Sequence, residues 1–222
     1  MLSKKYFGLT LVASLLIMHY MPIDAGEVMW TFDQDASQWE AANGIWEVRD
    51  GVYYQNQRWG EAIHSLVGST TWSDYTLDGK VRIHEGNWGG IVFRAQDEFQ
   101  YYVYLVCPKE KKSELWIHKT GGPLSRQAID EEIEAVNVEL KRNVWLNFQV
   151  QVKGSRIKLS INGELQAEFI DHTYKQGKVG VWAWDTLASF DDVRISGERI
   201  GVLTSVRPRQ HLSLTWSRLK LP

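Results

Sequence analysis

Five side chains in one short stretch, Trp88, Arg94, Gln96, Tyr102 and Tyr104, combine aromatic surface with hydrogen-bonding ends. Aromatic rings can cover the C–H faces of a sugar ring, while a guanidinium fork and an amide meet its hydroxyls. The stretch, residues 86–105, reads as two β-strands joined by a polar turn at Asp97 and Glu98. Side chains alternate along a strand, so each strand divides into two sets. Gly89, Ile91, Phe93 and Ala95, together with Phe99, Tyr101, Val103 and Leu105, suit a core. The opposite sets hold the five candidates. The pattern therefore predicts a hairpin with one core face and one face suited to carbohydrate.

A second aromatic platform follows at residues 178–184. Lys178, Gly180, Trp182 and Trp184 fall on one strand face, opposite Val179, Val181 and Ala183. Arg94 and Trp184 each oppose the apolar set of their strand, so the two are expected to converge on one sheet surface. There Trp184 would stack on a sugar ring while Arg94 fixes its hydroxyls. The competing readings are an ion pair for Arg94 and packing under a loop for Trp182 and Trp184. Glu61, beside Trp59, is a further ligand candidate.

Asp33, Asp191 and Asp192 are the candidates for a structural Ca²⁺, which takes carboxylate oxygens from separate segments. The first and last strands of a sandwich commonly meet, and such an ion could staple them. The alternative is that these are solvated turn carboxylates. His64, His84, His118 and His172 show no zinc spacing. There is no phosphate-binding glycine loop after a strand and no nucleophile elbow, so no catalytic set is assigned.

The elements that must position these residues are short strands. Residues 145–153 alternate most clearly, with Leu146, Phe148, Val150 and Val152 inward and Asn147, Gln149 and Gln151 outward. Asp50-Gly51 and Asn162-Gly163 are two-residue hairpin turns. Strands are also expected over residues 28–32, 61–67, 75–83, 113–119, 178–184 and 189–195; residues 129–140 read as strand or loop. Roughly a dozen short strands with no helical period argue an all-β, antiparallel β-sandwich.

The chain has 222 residues, 11 Trp, 9 Tyr and a net charge of −2. That balance gives no support for nucleic-acid binding, which leaves a basic footprint. The single cysteine, Cys107, rules out an internal disulfide and reads as a free thiol near a strand end. Lys4 and Lys5, an apolar run over residues 7–21, then Ala25 and Gly26 follow the order of a secretory signal. The expected division is a signal over residues 1–25, a sandwich over 26–198 and a basic tail over 199–222. The expected product is secreted, periplasmic or at the cell surface, monomeric, and without a membrane span once the signal is removed.

Gly-Gly-Ile-Val-Phe-Arg-Ala-Gln-Asp at residues 89–97, followed by Tyr101-Tyr102, resembles the concanavalin A-like jelly rolls. Within these the chain is similar to levan-binding-type carbohydrate-binding modules and to 3-keto-disaccharide hydrolase (family-16-like) domains. The runs at 145–150, 177–184 and 189–195 agree in order and spacing, so the likeness covers about residues 28–197. It implies a jelly roll whose face or rim binds a glycan. The hydrolase domains carry Asn-Ser-Gly where Trp88-Gly89-Gly90 stands here, and their Glu-x-Gln element is not evident. The Glu-x-Asp-x-x-Glu of laminarinase-type glucanases is absent too. A carbohydrate-binding module is therefore the first expectation. A 3-keto-disaccharide-type glycosidase is the second, with Glu61, Asp97 and Asp185 as its carboxylates. A laminin G-like adhesion domain, motivated by the basic tail, is the third.

Overall fold

The computed structural model describes residues 26–60, 62–120 and 125–201. The expected signal, Glu61 and most of the basic tail lie outside the described residues. Thirteen strands make up the described chain: β1 (Gly26–Trp30), β2 (Glu40–Ala41), β3 (Trp46–Arg49), β4 (Val52–Gln55), β5 (Ile63–Val67), β6 (Tyr75–Ala95), β7 (Tyr101–Cys107), β8 (Lys112–His118), β9 (Arg126–Glu134), β10 (Leu146–Lys153), β11 (Arg156–Ile161), β12 (Glu164–Ile170) and β13 (Lys178–Gly197). All pairings are antiparallel. Among the described residues no helix is long and apolar enough to cross a membrane.

Two strands run through the whole molecule. Each was expected as two shorter strands. Instead β6 is 21 residues long and β13 is 20, and they pair along nearly their full length. Their N- and C-terminal halves belong to different layers. One layer runs β12-β11-β10-β6-β13, with β1 and the β3–β4 hairpin on the far side of β13. The other runs β9-β8-β7-β6-β13-β5-β2. Between them lies one apolar core, which includes Leu77, Val81, Phe148, Val150, Val193 and Ile195 from the first layer and Ile91, Phe93, Leu115, Ile117, Val179 and Val181 from the second.

The corner between the layers sits at Gly86 and Thr186, which face one another. Gly86 has φ +93°, and a Cβ there would come 1.9 Å from the Asp185 carbonyl oxygen, so only glycine fits. Thr186 Oγ1 accepts from the backbone N–H groups of Asn87 and Trp88 at 3.0 and 2.9 Å and donates to the Trp184 carbonyl at 2.7 Å. The bend thereby fixes Trp88 and Trp184 as cross-strand partners.

The strand signals of the turns hold. Asp50-Gly51 joins β3 to β4 and Asn162-Gly163 joins β11 to β12, with both residues of each pair at positive φ. The ambiguous residues 129–140 divide: β9 takes the stretch through Glu134, and the remainder is loop. Cys107 is fully buried at the end of β7, and burial pushes its thiol pKa up, away from reactivity.

Candidate functional site

The outer face of the second layer, turned away from the core, carries its own apolar cluster. Leu66, Val92, Tyr101, Val103, Leu105 and Trp182 are buried there, with Trp88, Trp116 and Trp184 packed half-buried against them. Residues opposite one another in an antiparallel ladder point to the same side. Trp182 faces Gly90, Gly90 faces Leu105, and Leu105 faces Glu114, so one row crosses four strands. Gly90 leaves that row without a side chain at its centre. Val103 faces Trp116, and Tyr101 faces His118, which faces Arg126 on β9.

These residues enclose a cavity of ≈ 220 Å³ lined by indoles of Trp88, Trp116, Trp182 and Trp184, with Glu114, His118 and Arg126 supplying the polar ends. That is below the roughly 300–1,000 Å³ of pockets for drug-sized ligands, and suits a single ring. The Arg126 guanidinium lies 4.1 Å over Trp184 and 5.2 Å from Trp116. Trp182 meets Trp184 edge-on at 6.4 Å and its Nε1 donates to the Tyr101 hydroxyl at 3.3 Å. Glu114 accepts from Trp116 Nε1 at 2.5 Å and pairs with Lys112 Nζ at 3.1 Å. Burial pushes the Glu114 carboxyl up, against the pull of those two donors. Burial, with the nearby Arg126 charge, lowers His118 to about 3, so its ring is neutral.

A larger cavity of ≈ 530 Å³ opens at the edge of the first layer, between Asp74, Gln151, Lys153, Arg156 and Glu198. It contains no aromatic platform beyond the buried Tyr75, and it is a solvated groove among charged strand ends.

A family model described as a 3-keto-alpha-glucoside-1,2-lyase-like domain matches residues 30–196. The chain belongs to that family. A levanase from Bacillus subtilis is 23% identical over 167 residues, which are 73% of this chain but 23% of the levanase. The chain thus spans about a quarter of that relative's length. Among solved structures, the carbohydrate binding module CBM66 from Bacillus subtilis superposes with a TM-score of 0.62 at 21% identity, over 71% of this chain and 94% of the module. The laminarinase from Rhodothermus marinus gives 0.55 at 12% identity, over 77% and 96%. These likenesses establish the jelly-roll fold expected from the sequence.

Within this 3-keto-glucoside lyase-like domain, the sequence-derived candidates divide sharply. Trp88, Trp182 and Trp184 do come together in the indole cavity. Arg94 does not. It is fully buried, and its guanidinium donates to the carbonyls of Tyr174 and Ser73, both at 3.1 Å, with Asp74 at 3.7 Å. The cause is a bulge: between Gly180 and Lys178 the β6 register slips by one residue, and Arg94 takes φ +51°. A bulge re-aims the side chain out of the alternation. Gln96 is exposed, and its amide donates to the carbonyls of Arg94 and Gln176, which ties the β6–β7 turn to the loop before β13.

Tyr102 and Tyr104 lie in the core between the layers, not on the outer face. The register sets Phe93 opposite Tyr102 and Ile91 opposite Tyr104, so the tyrosines follow their apolar partners inward. Their hydroxyls are satisfied there by Asp171 and Ser113. Burial, first, and the hydrogen bond to Asp171 raise Tyr102 to about 12.

Asp33, Asp191 and Asp192 are neighbours: burial raises Asp191, and Asp192 and Asp33 add to the shift. Lys80 Nζ already pairs with Asp192. No group of three ligating side chains able to hold a metal is present among the described residues. Of the carboxylates weighed for an enzyme, Asp185 pairs with Arg58 at 3.3 Å and Asp97 caps the β6–β7 turn.

Sequence reasoning missed Glu114, Trp116, His118 and Arg126. The signal was present on β8, where Ser113, Leu115 and Ile117 alternate with Glu114, Trp116 and His118. Reading both sets of that strand would have placed three cavity residues together.

Proposed function

We propose that the outer-face cavity binds one ring of a neutral carbohydrate, and that the chain is a secreted carbohydrate-binding domain. The observation that carries this reading is the convergence of four indoles, one guanidinium and one carboxylate on a one-ring cavity. Indole faces cover C–H surface, while Arg126 donates to hydroxyls and Glu114 accepts from them. The similarity to a levanase and to a carbohydrate binding module supports the ligand class. The signal-like N-terminus supports export. The test is retention of the protein on levan, β-glucan and galactan columns, with sugar release assayed in parallel. Retention without release supports a binding domain; no retention on any of them and no binding of small sugars contradicts it.

A second reading is favoured by one specific observation: two bases, Glu114 and neutral His118, line the cavity. A 1,2-lyase acting on a 3-keto-glucoside needs a base for the proton next to the ketone. Release of the aglycone from a 3-keto-glucoside, lost in Glu114→Gln, would support this reading over simple binding. The adhesion reading rests on residues 199–222, mostly outside the described residues.

A further inference from the structure

A second cavity of ≈ 250 Å³ adjoins the first and is lined by Asn43, His64, Glu98, Phe99, Tyr101 and His118. His118 belongs to both walls. The rings form one row: His64 lies 4.9 Å from Tyr101, Tyr101 stacks on His118 at 4.4 Å, and Trp182 follows edge-on at 6.2 Å. His64 Nδ1 sits 2.7 Å from the Ala62 carbonyl. A carbonyl only accepts, so Nδ1 carries the proton and Nε2 presents a lone pair. His64 is 3% exposed and this Nε2 has no hydrogen-bond partner; His118, 1% exposed, leaves its own Nε2 unpaired as well. Buried polar atoms are nearly always paired, so two orphans beside one cavity point to a ligand or ordered water there. Burial lowers both imidazoles, which keeps them neutral, although the backbone and charge of Glu98 act against this at His64. Phe99 stands at the rim, 40% exposed, as uncommitted apolar surface.

We propose that this cavity is a second sugar subsite, in which His64 Nε2 accepts a hydroxyl proton and Phe99 supplies apolar contact. The proposal rests on the carbohydrate reading of the indole cavity and deepens it. The ligand is then a disaccharide or longer, with one unit against Trp88 and Trp184 and the next against Phe99. The exposed Glu98 carboxylate at the mouth disfavours acidic sugars, so the second unit is neutral.

The test is calorimetric titration of fructose, glucose, sucrose, levanbiose and trehalose into the wild type and the variants Phe99→Ala, His64→Phe and Trp184→Ala. At least one disaccharide should bind about tenfold or more tightly than either monosaccharide, the scale of one buried hydrogen bond with a ring contact. Phe99→Ala and His64→Phe should erase that gain and leave monosaccharide affinity intact, whereas Trp184→Ala should weaken both. Phe99 is partly exposed, so its variant keeps the test alive if His64→Phe does not fold. A disaccharide that binds no tighter, or a gain that survives both variants, overturns the subsite while the indole cavity stands. Absence of binding by every sugar, or binding unmoved by Trp184→Ala, overturns the indole cavity and the subsite together.

Discussion

The Arg126 guanidinium lies 4.1 Å over the Trp184 indole, in the place beside Trp184 expected of Arg94. A stacked guanidinium keeps its edge free to donate while its face is held by the ring. Arg126→Ala should therefore weaken carbohydrate binding by about 1–3 kcal/mol, the range for a charged hydrogen bond. The melting temperature should move by only a few degrees, because Arg126 is half-buried on the outer face. Arg126→Lys should recover only part of the affinity. Full recovery by lysine would mean that charge alone is read.

Arg94 should behave in the opposite way. Its substitution by methionine leaves the carbonyls of Ser73 and Tyr174 without their donor. The expected cost is about 2–3 kcal/mol of stability, with sugar affinity unchanged. Paired denaturation and binding measurements on Arg94→Met check this; lost affinity at wild-type stability would return Arg94 to the site.

His118 gives a pH dependence with a definite sign. Its folded pKa, about 3, is below its ordinary value of 6.5 because burial disfavours the cation. Between those values the unfolded chain binds the extra proton, so stability falls as pH falls from about 6.5 toward 3. Near pH 5 this one group contributes a slope of about 1.4 kcal/mol per pH unit. His118→Phe should flatten the acid limb of the stability curve by about that slope. An unchanged slope would show that His118 is charged in the folded state.

Lys80 lies beside the carboxylates expected to hold a structural Ca²⁺. Its ammonium pairs with Asp192 beside Asp191, so one carboxylate of the cluster already has a counter-charge. We propose that Ca²⁺ at millimolar concentration leaves the wild-type melting temperature within about 1 °C, since binding to the folded state alone would raise it. A saturable rise that EDTA reverses would establish the ion and displace Lys80 as the counter-charge.

The sandwich was legible because its turns and alternation are local signals. Asp50-Gly51, Asn162-Gly163 and the inward set Leu146, Phe148, Val150 and Val152 needed no knowledge of distant partners. The site was less legible because it depends on register and on bulges. Ile91 and Phe93 were placed inward correctly, yet Tyr104 and Tyr102 were placed outward, although they lie directly opposite. Both faces of this hairpin are buried, one by the core and one by the outer indoles, so hydrophobicity could not separate them. The slip at Arg94 is invisible without its pairing to β13. Trp88, Trp182 and Trp184 were expected on one face, and come together in one cavity, because they sit on clean stretches of alternation.

Trp184→Ala tests the central claim most directly, since this indole meets both Arg126 and Trp182 in the cavity wall. The measurement is affinity for the best-bound oligosaccharide, in wild type and variant, at matched folded fraction. The predicted result is a loss of about 1–3 kcal/mol in binding with little change in melting temperature. Equal affinity in the two proteins would place the carbohydrate somewhere other than the outer-face cavity.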